Sequence, residues 1–177
     1  QVHTWPFGEI LYDLDISPDG KLLSASHTAV DGAQALHLMK LESLLADDAA
    51  PAMKFDFGQA VPESFVFAPD GRSLYGSSYY TGVSNIFRYE IATGELEALT
   101  NAETGFFRPL PLGDSSLLVF RYTGNGFVPS IIAVAPVKDV SPITFLGQQV
   151  VEKHPIVKQW AAGSPGQVPI ESMITGT

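Results

Sequence analysis

Apolar residues in this chain fall in short runs separated by turn-forming residues, and the pattern is clearest from Ser64 to Asn101. Phe65-Val66-Phe67 is an uninterrupted apolar run, as expected of a strand buried on both faces. Pro69-Asp70-Gly71 then turns the chain: proline presets φ, aspartate bonds its own backbone and glycine accepts a positive φ. Leu74 to Tyr79 resumes an extended run, and Thr81-Gly82-Val83-Ser84 breaks it. From Asn85 to Glu90 the residues alternate, with Ile86 and Arg88 on one side and Phe87 and Tyr89 on the other. Ala92-Thr93-Gly94 turns again, and Leu96 to Leu99 closes the unit. No apolar spacing of helical period fits inside it. Four short antiparallel strands in a repeat of about 40–50 residues predict a propeller blade.

Two worn copies flank this unit. The first blade covers about 10–57, the second 64–100 and the third 106–147. In the first, strands are expected at Tyr12–Ile16, Lys21–Ser26, Ala35–Leu41 and Ala52–Phe57, with His27–Gln34 as a loop and a helical turn as the alternative for Leu41–Ala46. In the third, strands are expected at Arg108–Leu110 (cut short by Pro109 and Pro111), Ser116–Tyr122, Ser130–Val137 and Ile143–Leu146. Trp5 is expected to pin the N-terminal segment to the core. Residues 148–177, with Pro155, Pro165, Pro169 and a lone Trp160, read as an extended tail and a linker towards a further domain. The predicted fold class is therefore all-β: a partial or small propeller of about three four-stranded antiparallel blades plus an extended C-terminal tail.

The motifs sharpen this expectation. Ile16-Ser17-Pro18-Asp19-Gly20-Lys21-Leu22, its second copy Pro69-Asp70-Gly71-Arg72, and then Asn85-Ile86-Phe87-Arg88-Tyr89-Glu90, Thr93-Gly94-Glu95 and Ala98-Leu99-Thr100 resemble the TolB-type, WD40-like propeller repeat of bacterial extracytoplasmic proteins. The third copy has lost Pro-Asp-Gly and keeps Leu112-Gly113-Asp114. The resemblance spans roughly Tyr12 to Leu146. It implies a periplasmic or cell-surface protein, and it does not by itself imply an activity.

Composition narrows the partners. With 10 Lys and Arg against 19 Asp and Glu, the net charge of −9 argues against nucleic acid and against an anionic membrane surface. The chain has no Cys, so it has no disulfide framework and no thiol chemistry. No stretch approaches the roughly 20 apolar residues of a membrane helix. Propellers close with about 4–8 blades. The chain is therefore expected to be cut from something longer, an expectation that Gln1 in place of a starting Met supports.

Blade topology sorts the loops by face. Tyr79, Tyr80, Phe106, Phe107, Tyr122 and Phe127 are expected on one loop face, with Arg108 and Arg121 at its edge. Aromatic residues and arginine anchor protein interfaces, so this set is the candidate site for a protein or peptide partner. The competing reading is that the rings cap the blades and pack between them. No Gly-x-Ser-x-Gly occurs, and His3, His27, His37 and His154 lack metal-ligand spacing. Asp13 and Asp15 alternate onto one face of an inner strand, where Ca²⁺ is conceivable, but a solvated channel wall is the simpler reading, so no cofactor is assigned. The expected role is a non-catalytic interaction module of a bacterial envelope protein. The alternative is the gating propeller of a prolyl-oligopeptidase-like serine peptidase whose hydrolase domain lies elsewhere. Open blade edges also predict a homodimer, or a tail that covers them.

Overall fold

The computed structural model describes residues 2–137, all within a compact unit spanning 1–142. The predicted strand Ile143–Leu146 and the tail 148–177 lie outside the described residues. Sheet one has the order β1-β2-β3-β4, from β1 (Ile10–Ile16), β2 (Leu22–Thr28), β3 (Gln34–Lys40) and β4 (Met53–Gly58). A helical turn, α1 (Leu41–Leu45), joins β3 to β4, as the alternative reading of that segment expected. Sheet two has the order β5-β6-β7-β8, from β5 (Pro62–Phe67), β6 (Ser73–Ser78), β7 (Asn85–Glu90) and β8 (Glu95–Ala98). Sheet three orders β9 (Phe106–Pro111), β10 (Ser116–Thr123) and β11 (Gly126–Ala133) as β11-β10-β9. All pairings are antiparallel. No helix among the described residues is long and apolar enough to cross a membrane.

The sheets stack face to face. Leu36, Leu38 and Phe57 of sheet one meet Phe65, Phe67, Leu74, Phe87 and Tyr89 of sheet two. Tyr75, Ile86 and Leu99 of sheet two meet Leu117 and Val119 of sheet three. The alternation along β7 thus sends Phe87 and Tyr89 to one interface and Ile86 to the other. Each fully buried side chain of this size contributes about 1.5–3 kcal/mol. Fit is tight where β5 crosses β6: a Cβ on Gly76 would lie 2.2 Å from the Phe65 ring, so only glycine is accommodated there.

Each inner strand carries a bulge that sequence alternation did not predict. The register slips between Tyr12 and Asp15, between Glu63 and Val66, and between Leu118 and Phe120 opposite β9. In each bulge one non-glycine residue takes a positive φ: Asp13 (51°), Ser64 (52°) and Arg108 (50°). The bulge breaks the expected alternation in β1, and Leu14 and Ile16 are exposed. Asp13 and Asp15 instead reach sheet two, where their Oδ2 atoms accept the backbone N–H of Ser64 (2.7 Å) and Phe67 (2.8 Å). These carboxylates hold one inner strand against the next.

The turns at the opposite end follow the sequence motif. Asp19 Oδ1 accepts the Ser17 hydroxyl (2.7 Å) and the Lys21 N–H (3.1 Å), and Asp70 Oδ1 accepts the Arg72 N–H (3.0 Å). The Ser17 bond, followed by that from the Lys21 backbone, holds the Asp19 carboxyl below its usual range. Gly113 has φ 72°, matching Gly20 (71°) and Gly71 (70°), so the third turn keeps the backbone conformation after losing the motif. One loop assignment is corrected: His27 lies inside β2, because β2 and β3 pair out to Thr28↔Gln34.

Candidate functional site

The loop from Tyr79 to Ser84 is held by a buried polar hub. Asn85 Oδ1 accepts the Thr100 hydroxyl (2.9 Å) and the Ala102 N–H (2.9 Å), while its Nδ2 donates to Thr81 Oγ1 (3.0 Å). Thr100 Oγ1 in turn accepts the Ile86 N–H (2.9 Å). The Ser84 hydroxyl donates to the Phe106 carbonyl (2.8 Å), and the Phe106 N–H donates to the Ser84 carbonyl (2.8 Å). This network fixes the loop of sheet two against β9.

Next to it lies an open cavity of about 430 Å³ lined by Glu63, Tyr79, Phe107, Arg108, Phe120 and Phe127. Its rings touch in sequence. Tyr79 meets Phe107 with centroids 6.2 Å apart, Phe107 meets Phe127 at 5.3 Å, and Phe127 meets Tyr122 at 5.2 Å. The register explains the cluster, since Phe107 opposes Phe120 and Tyr122 opposes Phe127 on one face of sheet three. That face points away from sheet two, which is met by Leu117 and Val119 on the other side. Burial, followed by the Asp13 carboxylate, pushes the Glu63 carboxyl above its usual range, and the Arg108 charge pulls the other way.

The eight candidates divide among three places. Tyr79, Phe107, Arg108 and Phe127 line the cavity, with Tyr122 alongside. Phe106 and Arg121 oppose each other on the reverse face, in a separate cleft with Asn101, Ala102, Glu103 and Thr104. Tyr80 packs edge-on to Phe57 (5.5 Å), Phe55 (6.1 Å) and Phe87 (6.3 Å), where sheets one and two meet. The loop placement is also corrected. Phe106 and Phe107 sit in β9 and Phe127 in β11, because these strands begin earlier than the expected starts at Arg108 and Ser130, while Arg108 and Tyr122 lie in strands as expected. Phe120 and Glu63 were not singled out by the sequence. Alternation of Phe120 with Tyr122 in β10 is the signal that points to Phe120.

A register comparison sets the third sheet apart. Directly before the bulge, Tyr12 pairs with Ser26, Glu63 with Ser77 and Phe107 with Phe120. The Ser26 hydroxyl donates to the Pro62 carbonyl of the next sheet (2.8 Å), and Ser77 Oγ accepts the Arg108 N–H of the next sheet (3.4 Å). Phe120, at the third such position, is 41% exposed and lines the cavity.

No family model and no curated protein matches the sequence. Solved structures do match it. A protein described as a TolB of Agrobacterium tumefaciens superposes with a TM-score of 0.54 at 18% identity, over 76% of this chain and 51% of that one. TolB of Acinetobacter baumannii gives a TM-score of 0.54 at 18% identity, over 71% of this chain and 30% of that one. The fold is that of a TolB-type β-propeller. Sheets one to three are its blades, and the resemblance drawn from the sequence motifs holds at the level of fold. A puromycin hydrolase variant also aligns, with a TM-score of 0.49 at 19% identity over 69% of this chain and 21% of that one. The chain thus spans about half or less of the length of the solved chains it matches.

Proposed function

We propose that this propeller segment is a non-catalytic interaction module of a bacterial envelope protein, and that it binds a protein or peptide through the aromatic face of blade three. The observation that supports this reading is the cavity of Tyr79, Phe107, Phe120 and Phe127 with Arg108 at its margin, opening on solvent beside a loop that the Asn85 hub holds still. Aromatic rings and arginine presented on a stiff scaffold are the usual anchors of protein interfaces. The periplasmic or cell-surface location belongs to this proposal and rests on the TolB-type repeat. The peptidase alternative requires a nucleophile elbow outside these 177 residues, since no Gly-x-Ser-x-Gly occurs within them.

The test is the double variant Tyr79→Ala with Phe127→Ala. The expected result is an unchanged β-sheet spectrum and melting temperature, together with loss of partner capture from envelope extracts relative to the parent chain. Capture that survives the double change, with the fold intact, contradicts the proposal. A second copy of the chain is a further proposed occupant of an open blade edge. Light scattering that reports the mass of one chain excludes that occupant.

A further inference from the structure

The rings of the blade-three cavity stand at steep angles to one another. The planes of Tyr79 and Phe107 meet at 62° and those of Phe107 and Phe127 at 84°. Neighbouring rings therefore form corners, and with Phe120 they make an open box of aromatic walls. Such walls surround a guest on several sides, as one flat surface does not. The face of an aromatic ring carries negative charge density and attracts a cation within about 6 Å of its centroid.

A carboxylate stands in the same cavity. Glu63 lies in β5 directly before Ser64 of the bulge, and its backbone pairs with Ser77. The residue is half-buried, and no side chain among the described residues forms an ion pair with it. A carboxylate drawn out of water without a partner is costly, and a cation entering the cavity supplies the partner. The charges that act on Glu63 are Asp13 and Arg108, so two carboxylates stand against one guanidinium. The Arg108 charge favours the ionised form of Glu63. The chain as a whole carries a net charge of −9, which draws cationic partners towards it.

We infer that this cavity is a cage for an ammonium group: a lysine side chain of the partner enters among Tyr79, Phe107, Phe120 and Phe127 and pairs with Glu63. The inference rests on the reading of this face as a protein-binding surface and gives that partner its chemistry, a basic contact segment. Lysine suits the box better than arginine does. Its ammonium is a compact point charge on a flexible apolar stem, whereas a guanidinium is planar and stacks flat on a single ring.

Capped pentapeptides Gly-Ser-X-Ser-Gly, with lysine, norleucine or glutamate at the centre, are the probes. Each is titrated with the chain at neutral pH and low ionic strength, and proton NMR follows the central side chain. The lysine peptide is expected to bind about five- to tenfold more tightly than the norleucine peptide, with the glutamate peptide weakest. Its terminal methylene protons are expected to shift upfield in the ring currents of the cage. Glu63→Gln brings the lysine peptide down to the norleucine level at an unchanged melting temperature. Arg108→Gln, which keeps the backbone bond from residue 108 to Ser77, tightens the lysine peptide. Tyr79→Ala with Phe127→Ala removes both the binding and the upfield shift. Equal affinity for lysine and norleucine overturns the inference, as do tighter binding of the glutamate peptide, no binding of any probe, or a lysine affinity unmoved by Glu63→Gln and Arg108→Gln. The protein-binding reading is judged separately, by capture of an intact partner: loss of capture in the double variant upholds that reading even where the cage fails.

Discussion

The outward faces of blades one and three are both apolar sheet surfaces, yet they are treated differently. Blade one covers Leu23, Ala25 and Met39 with its own chain, through Trp5 and Leu44. Blade three leaves Phe120, Tyr122, Phe127 and Ile131 exposed, together with Leu110. At the register position where blades one and two carry Ser26 and Ser77, blade three carries Phe120. The small serines let the next inner strand approach closely enough for hydrogen bonds to its backbone. In blade three the phenyl ring at that position is exposed and lines the aromatic cavity. The contrast teaches that the stacking faces of this propeller rest on a few small and charged residues, and that blade three departs from that pattern at Phe120.

Stability measurements break or sharpen this contrast. The largest effect belongs to the interface of blades one and two. Phe65 is 1% exposed and Phe127 is 59% exposed. Phe65→Ala is expected to cost about 3–5 kcal/mol, whereas Phe127→Ala stays within about 0.5 kcal/mol, as surface changes do. Urea unfolding followed by circular dichroism reads both, and equal losses would erase the distinction between core ring and site ring. Asn85→Ala comes next. It strands the Thr100 hydroxyl and the Ala102 N–H, at about 1–3 kcal/mol for a buried group left unpaired. The same unfolding curves test it, and the Tyr79 to Ser84 loop is expected to become the first protease-sensitive site of this variant. Ser26→Ala is smaller. Loss of its bond to Pro62 is expected to remove about 0.5–1.5 kcal/mol. Phe120→Ser is expected to leave the midpoint within about 0.5 kcal/mol. If Ser26→Ala proves neutral as well, the hydroxyl is not what distinguishes the stacking face.

Much of the fold was legible in the residues. Pro69-Asp70-Gly71 and Ser17-Pro18-Asp19-Gly20 mark their turns because proline, aspartate and glycine each supply a backbone property that the turn requires. Alternation along β7 assigned Ile86, Phe87 and Tyr89 to opposite faces, as the two interfaces show. The inner-strand bulges were not legible. Asp13, Ser64 and Arg108 share a positive φ but no side-chain chemistry, and the conformation is imposed by pairing with the second strand. The missed bulge accounts for the exposed Leu14, and the early start of β9 for Phe107 having been placed on a loop. The candidate site was legible in part. Composition and topology gathered Tyr79, Phe107, Arg108 and Phe127. Separating Tyr80 and Phe106 from them depends on which face of a sheet meets its neighbour, which no single strand reveals.

On the proposed function, blade three presents a binding surface where blades one and two present stacking faces. The most direct measurement is partner capture from envelope extracts by the parent chain and by Tyr79→Ala with Phe127→Ala, at matched concentration and with melting temperatures recorded on the same samples. Capture is expected to be lost at an unchanged melting temperature. Retained capture with an intact fold would contradict it and return these rings to the role of caps on blade three.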